Sequence, residues 1–132
     1  MPYLAGVGAE FVFDDFWAVT GNAVVQGEVS PIEALSRDMW GQGSSRSHGS
    51  YRPVTVLTFI FDAAVGGGRP AVFHVTNLLL HAAATILVFL LLSAETRRSR
   101  LATAAALLFA VHAVHSENVL AIVARADVLA TA

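Results

Sequence analysis

The sequence contains a long uncharged apolar run, residues 71–93, which limits the possible folds more than any other feature. Its 23 residues include no Asp, Glu, Lys or Arg. As an α-helix they extend about 35 Å at about 1.5 Å per residue, whereas the hydrocarbon core of a bilayer is about 30 Å thick. The run therefore predicts a transmembrane helix.

The composition agrees with a membrane protein. Hydrophobic residues make up 55% of the chain and charged residues only 14%, compared with about 25% charged residues in a typical soluble domain. The formal net charge of -2 argues against a nucleic-acid-binding protein. Because the chain has no Cys, a disulfide framework and a thiolate metal site are both excluded.

Three arginines, Arg97, Arg98 and Arg100, lie directly after the apolar run. Arginines clustered in a short loop stay on the cytoplasmic side of a membrane, so residues 1–70 are predicted to form an extracytoplasmic or lumenal first loop. Residues 71–132 then form a transmembrane hairpin, with spans at about 71–93 and 101–115, plus the start of a further apolar segment. Because this last segment continues to the final residue, we expect the sequence to be a fragment of a larger protein.

The predicted first loop contains two candidate interfacial helices. Ser30, Pro31 and Glu33 have the spacing of a helix start with a capping box, which predicts a helix from Pro31 to about Met39. Pro53 opens a second apolar stretch, residues 54–61, whose periodicity fits a strand or a helix; we favour an interfacial helix. The three glycines at 66–68 predict a turn before the transmembrane segment.

Polar residues within the first predicted span share one helical stripe. His74, Asn77 and His81 are spaced by three and four residues. Polar side chains in such a segment normally face the interior of the protein or a water-filled cavity. The stripe is therefore a packing surface or, alternatively, part of a transport path.

Two adjacent carboxylates, Asp14 and Asp15, follow an aromatic and β-branched run in the first loop. Adjacent side chains point in different directions on either a strand or a helix. One carboxylate can therefore be held by the fold while the other faces a ligand. The alternative is an ordinary acidic turn or helix cap.

The second half of the hairpin carries a group of ionisable residues. His112 and His115 share a helical face near Glu117, which fits a metal site, histidines satisfied in the core, or the binding of a phosphate or polyprenyl head group. Arg125 and Asp127 interrupt the last apolar segment, where unpaired charges are costly. We interpret them as part of a polar network rather than a direct salt bridge, and this network is either structural or a ligand site.

Five blocks of the sequence resemble one family, the transmembrane and tetratricopeptide-repeat (TMTC) proteins. The blocks occur in the order of the family and cover most of the chain: residues 10–15, 39–41, 47–59, 73–81 and 112–127. Two positions depart from the family pattern, because Gly49 replaces a basic residue and Ala113 replaces Pro.

The resemblance implies an all-α, multi-span fold of the GT-C glycosyltransferase type, with a lumenal first loop and with tetratricopeptide repeats outside the present sequence. It implies a protein O-mannosyltransferase of the endoplasmic reticulum membrane. Mannose would pass with inversion from dolichyl-phosphate mannose to Ser or Thr of secretory or cell-surface proteins, in animals those with cadherin-like folds. No nucleic acid is expected as a partner.

The resemblance also implies roles for individual residues. Asp14 is the expected catalytic base, and Asp15 orients Asp14 or the acceptor. The expected contacts with the donor phosphate or substrate are made by Arg52, His112, His115, Glu117, Arg125 and Asp127. No cofactor is required; a divalent metal held by the Asp pair is possible but not favoured.

Two interpretations from other functional classes remain open at the level of the sequence. The chain is alternatively a membrane subunit without enzymatic activity, in which the Asp pair caps a helix, or part of a transporter. If it is a mannosyltransferase, we expect the isolated chain to be inactive, because the spans that would form the groove for the donor lipid are missing.

Overall fold

The computed structural model describes residues 3–43, 45–47 and 49–131, and in this part of the chain all regular structure is helical. The all-α prediction is therefore confirmed for the described residues. The predicted interfacial stretch at residues 54–61 forms helix α1, Pro53–Gly66. Pro53 suits its first turn, where a backbone N–H has no helical partner, and Gly67 ends it with a left-handed φ of 59°.

The uncharged run forms helix α2, Pro70–Thr96, which has 27 residues. Its mean hydropathy of 2.2 over the most apolar stretch and its length make it the candidate membrane span among the described residues. The turn between α1 and α2 is tight, since a Cβ on Gly66 would lie 2.6 Å from Cγ2 of Val72. Glycine is therefore required where these two helices meet.

Helix α3, Ser99–Val111, returns along α2 after a link of only Arg97 and Arg98. The two helices make the most extensive contact between elements of the described fold and form a helical hairpin. That both helices of this hairpin cross a membrane stays a prediction. With 13 residues, α3 is about 20 Å long and ends before the predicted limit of residue 115. It ends because His112 adopts an extended backbone and its Nδ1 accepts a hydrogen bond from Val114 N–H.

The chain after α3 consists of short helices rather than one apolar segment. The 3-10 helix Ala113–His115 leads into helix α4, Ser116–Leu120. Ala121 is extended, and helix α5 then occupies Arg125–Thr131. The apolar run at residues 119–132 is therefore broken at Ala121.

The first loop is folded onto α1 and the first part of α2. It contains a 3-10 helix at Leu4–Gly8, a π-helical turn at Phe16–Thr20 and a 3-10 helix at Pro31–Leu35. A helix begins at Pro31 as predicted, but it is a 3-10 helix that ends at Leu35 rather than a capped helix to about Met39. Ser30 makes no side-chain cap, and the carboxylate of Glu33 pairs with Arg37. Ile32 and Leu35 are exposed, whereas Met39 is buried in the core.

The hydrophobic core lies where the first loop, α1, the start of α2 and the start of α5 meet. Its largest members are Met39, Phe59, Phe73 and Ile122, all almost completely buried. This core joins the two ends of the sequence. It therefore fixes residues 10–15 beside residues 117–127.

Candidate functional site

Five of the predicted site residues line one cavity of about 300 Å³. We call it the acidic cavity, since it presents four carboxylates and one guanidinium. The cavity is formed between the first loop, the start of α1 and the segment from α4 to α5. Its lining consists of Val12, Phe13, Asp14, Asp15, Arg52, Glu117, Ala121, Val123, Ala124 and Asp127.

The two adjacent aspartates have different environments. Asp15 is only 2% exposed, and its carboxylate oxygens accept hydrogen bonds from Val12 N–H at 3.2 Å and Val123 N–H at 3.1 Å. Asp14 is exposed. Asp15 therefore ties the first loop to the segment before α5, while Asp14 is available to a ligand.

The backbone turns sharply just before this pair. Phe13 has a positive φ of 46°, a conformation that costs energy for a residue with a Cβ. Its side chain is 89% exposed, so burial of the ring does not offset that cost. Asp14 and Asp15 follow this turn and begin a short helical segment, which continues as the π-helical turn Phe16–Thr20. At the end of this segment, Gly21 N–H donates a hydrogen bond to Phe16 O at 2.6 Å.

Arg52 and Asp127 face each other across the acidic cavity. The guanidinium Nη1 lies 3.5 Å from Oδ1 of Asp127, and both side chains are about half exposed. An exposed ion pair of this kind contributes little to stability, so its partners can exchange. An incoming anion can therefore replace Asp127 as the partner of Arg52.

A second, larger cavity of about 600 Å³ adjoins the first at Asp14. We call it the tryptophan cavity, since it is lined by Asp14, Trp17, Gly21, Trp40, Gln42 and Arg46. Trp17, Gln42 and Arg46 are not among the site residues predicted from the sequence. One sequence feature could have indicated this cavity: both tryptophans of the chain lie in or near motifs already noted. Trp17 is two residues after Asp15, and Trp40 lies within the block at residues 39–41.

A buried aspartate fixes one wall of the tryptophan cavity. Asp38 is 3% exposed, and its Oδ1 accepts hydrogen bonds from Trp40 N–H at 3.1 Å and Gln42 N–H at 2.8 Å. The amide of Asn22, which is also buried, donates to Met39 O at 3.1 Å. These bonds hold the backbone of residues 39–42 in place beneath the cavity.

Arg125 was predicted to contact the phosphate of the sugar donor or the substrate. It lies in the protein core and does not line the acidic cavity. Its guanidinium pairs with Asp62 at 2.6 Å and donates to Asn77 Oδ1 at 2.6 Å, Thr58 Oγ1 at 3.0 Å and Phe73 O at 2.9 Å. Burial lowers the pKa of Arg125, whereas the charge of Asp62 opposes this change. The polar network inferred from the sequence exists, with Asp62 rather than Asp127 as the acidic partner.

His112 and His115 lie in a separate aromatic cluster beyond the end of α3. The ring of His115 is 4.3 Å from that of Phe109 and 5.4 Å from that of His81, measured between centroids. Partial burial, followed by the nearby His81 and His112, lowers the pKa of His115. This cluster does not line the acidic cavity, and the described residues contain no group of three His, Asp or Glu side chains arranged to hold a metal.

The polar stripe on α2 faces the interior of the protein, as predicted. Asn77 donates to Ala121 O at 3.0 Å, and a ring nitrogen of His81 lies 3.2 Å from Ala110 O. His74 is 4% exposed, and neither ring nitrogen has a hydrogen-bond partner. Because all three side chains are buried against the protein, they do not line an open transport path in this conformation.

His48 belongs to the motif at residues 47–59 but lies outside the described residues. The other members of that motif lead directly from the loop at Met39 into α1. Met39 N–H donates to Ser50 O at 2.8 Å, and Tyr51 Oη donates to Leu35 O at 2.9 Å. Arg52 is therefore positioned by a loop that is bonded to the first part of the chain.

The chain is similar to several curated proteins that are named protein O-mannosyl-transferases. A Caenorhabditis elegans protein of this name is 40% identical over 137 residues, covering 99% of this chain and 20% of the relative. TMTC1 of Homo sapiens is 41% identical over 133 residues, covering 97% of this chain and 15% of the relative. Tmtc2 of Drosophila melanogaster is 43% identical over 136 residues, covering 97% of this chain and 14% of the relative.

The chain thus spans about a fifth or less of the length of these relatives. No protein-family model and no solved structure matches it. The similarity covers the segments that form both cavities, since nearly the whole chain is aligned.

Proposed function

Because this chain belongs to the TMTC family of protein O-mannosyl-transferases, we propose that it forms part of an enzyme that transfers mannose to Ser or Thr side chains. The observation that carries the proposal is the convergence of Asp14 and Arg52 on one cavity. A carboxylate and a guanidinium at one cavity are the groups needed to take a proton from the acceptor and to stabilise a phosphate leaving group. The proposed donor is dolichyl-phosphate mannose.

In the proposed reaction, the hydroxyl oxygen of the acceptor attacks the anomeric carbon of the mannosyl group. Asp14 takes the hydroxyl proton as the new bond between carbon and oxygen forms. The bond from the anomeric carbon to the phosphate oxygen breaks, and its electron pair leaves with the lipid phosphate. A single displacement of this kind inverts the anomeric centre and requires no second carboxylate nucleophile.

Arg52 is the proposed partner of the lipid phosphate. It is exposed and paired only loosely with Asp127, so the phosphate can replace this carboxylate at the guanidinium. The other carboxylates of the cavity would repel the phosphate but can accept hydrogen bonds from sugar hydroxyls. We therefore place the phosphate at Arg52 and the sugar ring toward Asp14 and Glu117.

Asp15 and Arg125 have supporting roles in this proposal. Both side chains are almost completely buried and bonded to the fold. Asp15 holds the backbone next to Asp14, and Arg125 holds α5 against α1 and α2. His112 and His115 lie outside the acidic cavity and are assigned no contact with the donor.

We propose that the site faces the lumen of the endoplasmic reticulum. Arg97, the residue that follows α2, lies 20 residues after Asn77, which corresponds to about 30 Å along the helix axis. The core and the acidic cavity lie beside the first part of α2, whereas the arginines lie at its other end. The thickness of a bilayer would therefore separate the cavity from the cytoplasmic arginines. Secretory and cell-surface proteins, including those with cadherin-like folds, are the proposed acceptors.

The substitution Asp14→Asn tests the catalytic base. Because the chain aligns with only part of its relatives, the assay uses a chimaera in which it replaces the matching segment of human TMTC1. We expect Asp14→Asn to lower mannosyl transfer from dolichyl-phosphate mannose by about 10²-fold to 10⁴-fold. The matched control is Glu10→Gln, an exposed carboxylate outside both cavities, which should leave transfer unchanged.

Two results would contradict the proposal. Full transfer by the Asp14→Asn chimaera would exclude Asp14 as the base. A chimaera that is inserted and folded like human TMTC1 but transfers no mannose, although human TMTC1 does so in the same assay, would instead favour the membrane subunit without enzymatic activity.

A further inference from the structure

We propose that the tryptophan cavity is the subsite for the acceptor polypeptide, which it binds as an extended segment with the Ser or Thr hydroxyl directed at Asp14. This inference rests on the proposed function, because it takes Asp14 as the base. It assigns a substrate class to a cavity that contains none of the other predicted site residues.

Asp14 lies between the two cavities. In an inverting displacement, the nucleophile and the leaving group lie on opposite sides of the anomeric carbon. The base must contact the nucleophile, so the acceptor and the donor have to reach Asp14 from different directions. Asp14 lines both the acidic and the tryptophan cavity, and it therefore lies where two such substrates can meet.

The side chains that line the tryptophan cavity suit a polypeptide ligand. Trp17 is 70% exposed, although burial of its ring would be favourable, and Trp40 is half-buried against the core. Indole rings bind apolar side chains with a large contact area and are enriched in protein recognition surfaces. The amide of Gln42 both donates and accepts hydrogen bonds, as a peptide group does, and Arg46 can donate to backbone carbonyls.

The two cavities differ in charge and size. The acidic cavity offers mostly carboxylate acceptors, which suit the hydroxyl donors of a sugar. The tryptophan cavity offers one carboxylate and one guanidinium around two aromatic rings, and it has about twice the volume. A longer, less polar ligand therefore fits the tryptophan cavity better than a mannosyl group does.

The wall of the cavity is also fixed before any ligand binds. The hydrogen bonds from Trp40 N–H and Gln42 N–H to the buried Asp38 hold these two lining residues. A prearranged wall lowers the entropic cost of binding a flexible peptide. Trp17, on the π-helical turn next to Asp14, forms the exposed side.

Tryptophan fluorescence tests the inference directly, because both tryptophans of the chain line this cavity. The purified chain in detergent micelles is titrated with a blocked peptide that contains one Thr, up to the millimolar range. We expect a change in emission maximum and protection from acrylamide quenching. Mannose 1-phosphate, used as the soluble probe for the donor head group, should produce neither effect.

Variants make the assignment specific. Trp17→Ala should weaken peptide binding by about tenfold or more, followed through the remaining Trp40. The matched control is Phe61→Ala, an exposed aromatic side chain on α1 outside this cavity, which should bind the peptide as the unmodified chain does. Circular dichroism of each variant establishes that the helices are retained.

Three results would overturn the inference. They are a response to mannose 1-phosphate in place of the peptide, no response to the peptide, and unchanged peptide affinity in Trp17→Ala. Failure of the proposed function is distinguishable, because the chimaera would then either retain transfer with Asp14→Asn or transfer no mannose without any substitution, whatever the fluorescence shows. Peptide binding by the Asp14→Asn chain, together with loss of transfer in the Asp14→Asn chimaera, would support both proposals.

Discussion

Asp14 and Asp15 are adjacent, yet one carboxylate serves the fold and the other faces the cavities. The difference follows from the partners of Asp15, whose two oxygens accept backbone N–H groups from Val12 and Val123. Hydrogen bonds to a carboxylate are stronger than those between neutral groups, and they are costly to lose here because the carboxylate of Asp15 is almost completely buried. The position of Asp14 therefore depends on its neighbour.

We predict that Asp15→Ala destabilises the chain, whereas Asp14→Ala does not. Removing the Asp15 carboxylate leaves two amides without their partner, at about 1–3 kcal/mol for each one that stays buried. The melting temperature in detergent micelles should fall by several degrees for Asp15→Ala and stay within about 1–2 °C for the exposed Asp14→Ala. Equal losses in the two variants would mean that Asp15 is not the structural member of the pair.

His115 should make the stability of the chain dependent on pH. Burial, His81 and His112 lower its pKa in the folded state below the ordinary value of about 6.5. As the pH falls, His115 therefore binds a proton in the unfolded state before it does so in the folded state. The contribution of neutral His115 to the free energy of unfolding is complete above about pH 6.5, and it is lost as the pH falls through the lower folded pKa. The melting temperature between about pH 7.5 and 5.5 should fall more for the unmodified chain than for His115→Gln. Parallel pH profiles for the two chains would contradict the prediction.

At the scale of the elements, the buried pair of Arg125 and Asp62 joins α5 to α1. The same guanidinium reaches α2 through Asn77 and the carbonyl of Phe73, and it lies 4.8 Å from the centre of the Phe59 ring. Removing one member of a buried ion pair leaves an uncompensated charge, at a cost of about 3–5 kcal/mol. The three helices are therefore coupled through one side chain.

A double-mutant cycle tests this coupling. We predict that Asp62→Leu and Arg125→Met each destabilise the chain strongly, and that the double variant loses less than the sum by about 1–3 kcal/mol. The control cycle uses the partly exposed pair of Glu33 and Arg37, for which the single variants should cost less than about 1 kcal/mol. Additive losses for Asp62 and Arg125 in thermal unfolding would show that the two side chains act independently.

The elements that the sequence predicts well are those set by local chemistry. Pro53 and Pro70 mark the first turns of α1 and α2, glycines mark the turn between them, and the uncharged run of 23 residues accounts for most of the 27 residues of α2. The capped helix after Ser30 was mispredicted because packing places Met39 in the core and leaves Ile32 exposed. Tertiary packing overrides a local helix signal of this strength.

The site was only partly predictable, because several of its contacts join residues that are far apart in the sequence. The family blocks pointed to Asp14, Arg52 and Asp127, which do line one cavity, although their chemical roles stay predictions. The partner of Arg125 was not predictable, because Asp62 is distant in the sequence whereas Asp127 is close. Trp17 was overlooked for the same reason, since only the fold brings it beside Trp40.

At the scale of the whole molecule, the chain places its polar groups at opposite ends of α2. Phe73, in the first part of this helix, belongs to the core, and Asn77 donates to the carbonyl of Ala121, which lines the acidic cavity. The link of Arg97 and Arg98 lies at the other end of the helix. Many large side chains of α2 and α3 are exposed, among them Leu79, Leu91 and Leu108. Such apolar surfaces are favourable in lipid and unfavourable in water, which is consistent with a bilayer between the two ends.

Cysteine labelling tests the arrangement across the membrane, and the absence of native Cys removes any background. We predict that Ser47→Cys and Ser99→Cys, both at exposed positions, are labelled from opposite sides of sealed microsomes. A membrane-impermeant maleimide added outside should modify Ser99→Cys, next to the arginines, because their positive charge keeps that link in the cytoplasm. Ser47→Cys should react only after the microsomes are permeabilised, since α2 is long enough to place the first loop in the lumen. If both cysteines react in intact microsomes, the cavities do not face the lumen, and a donor presented on the lumenal side could not reach Asp14.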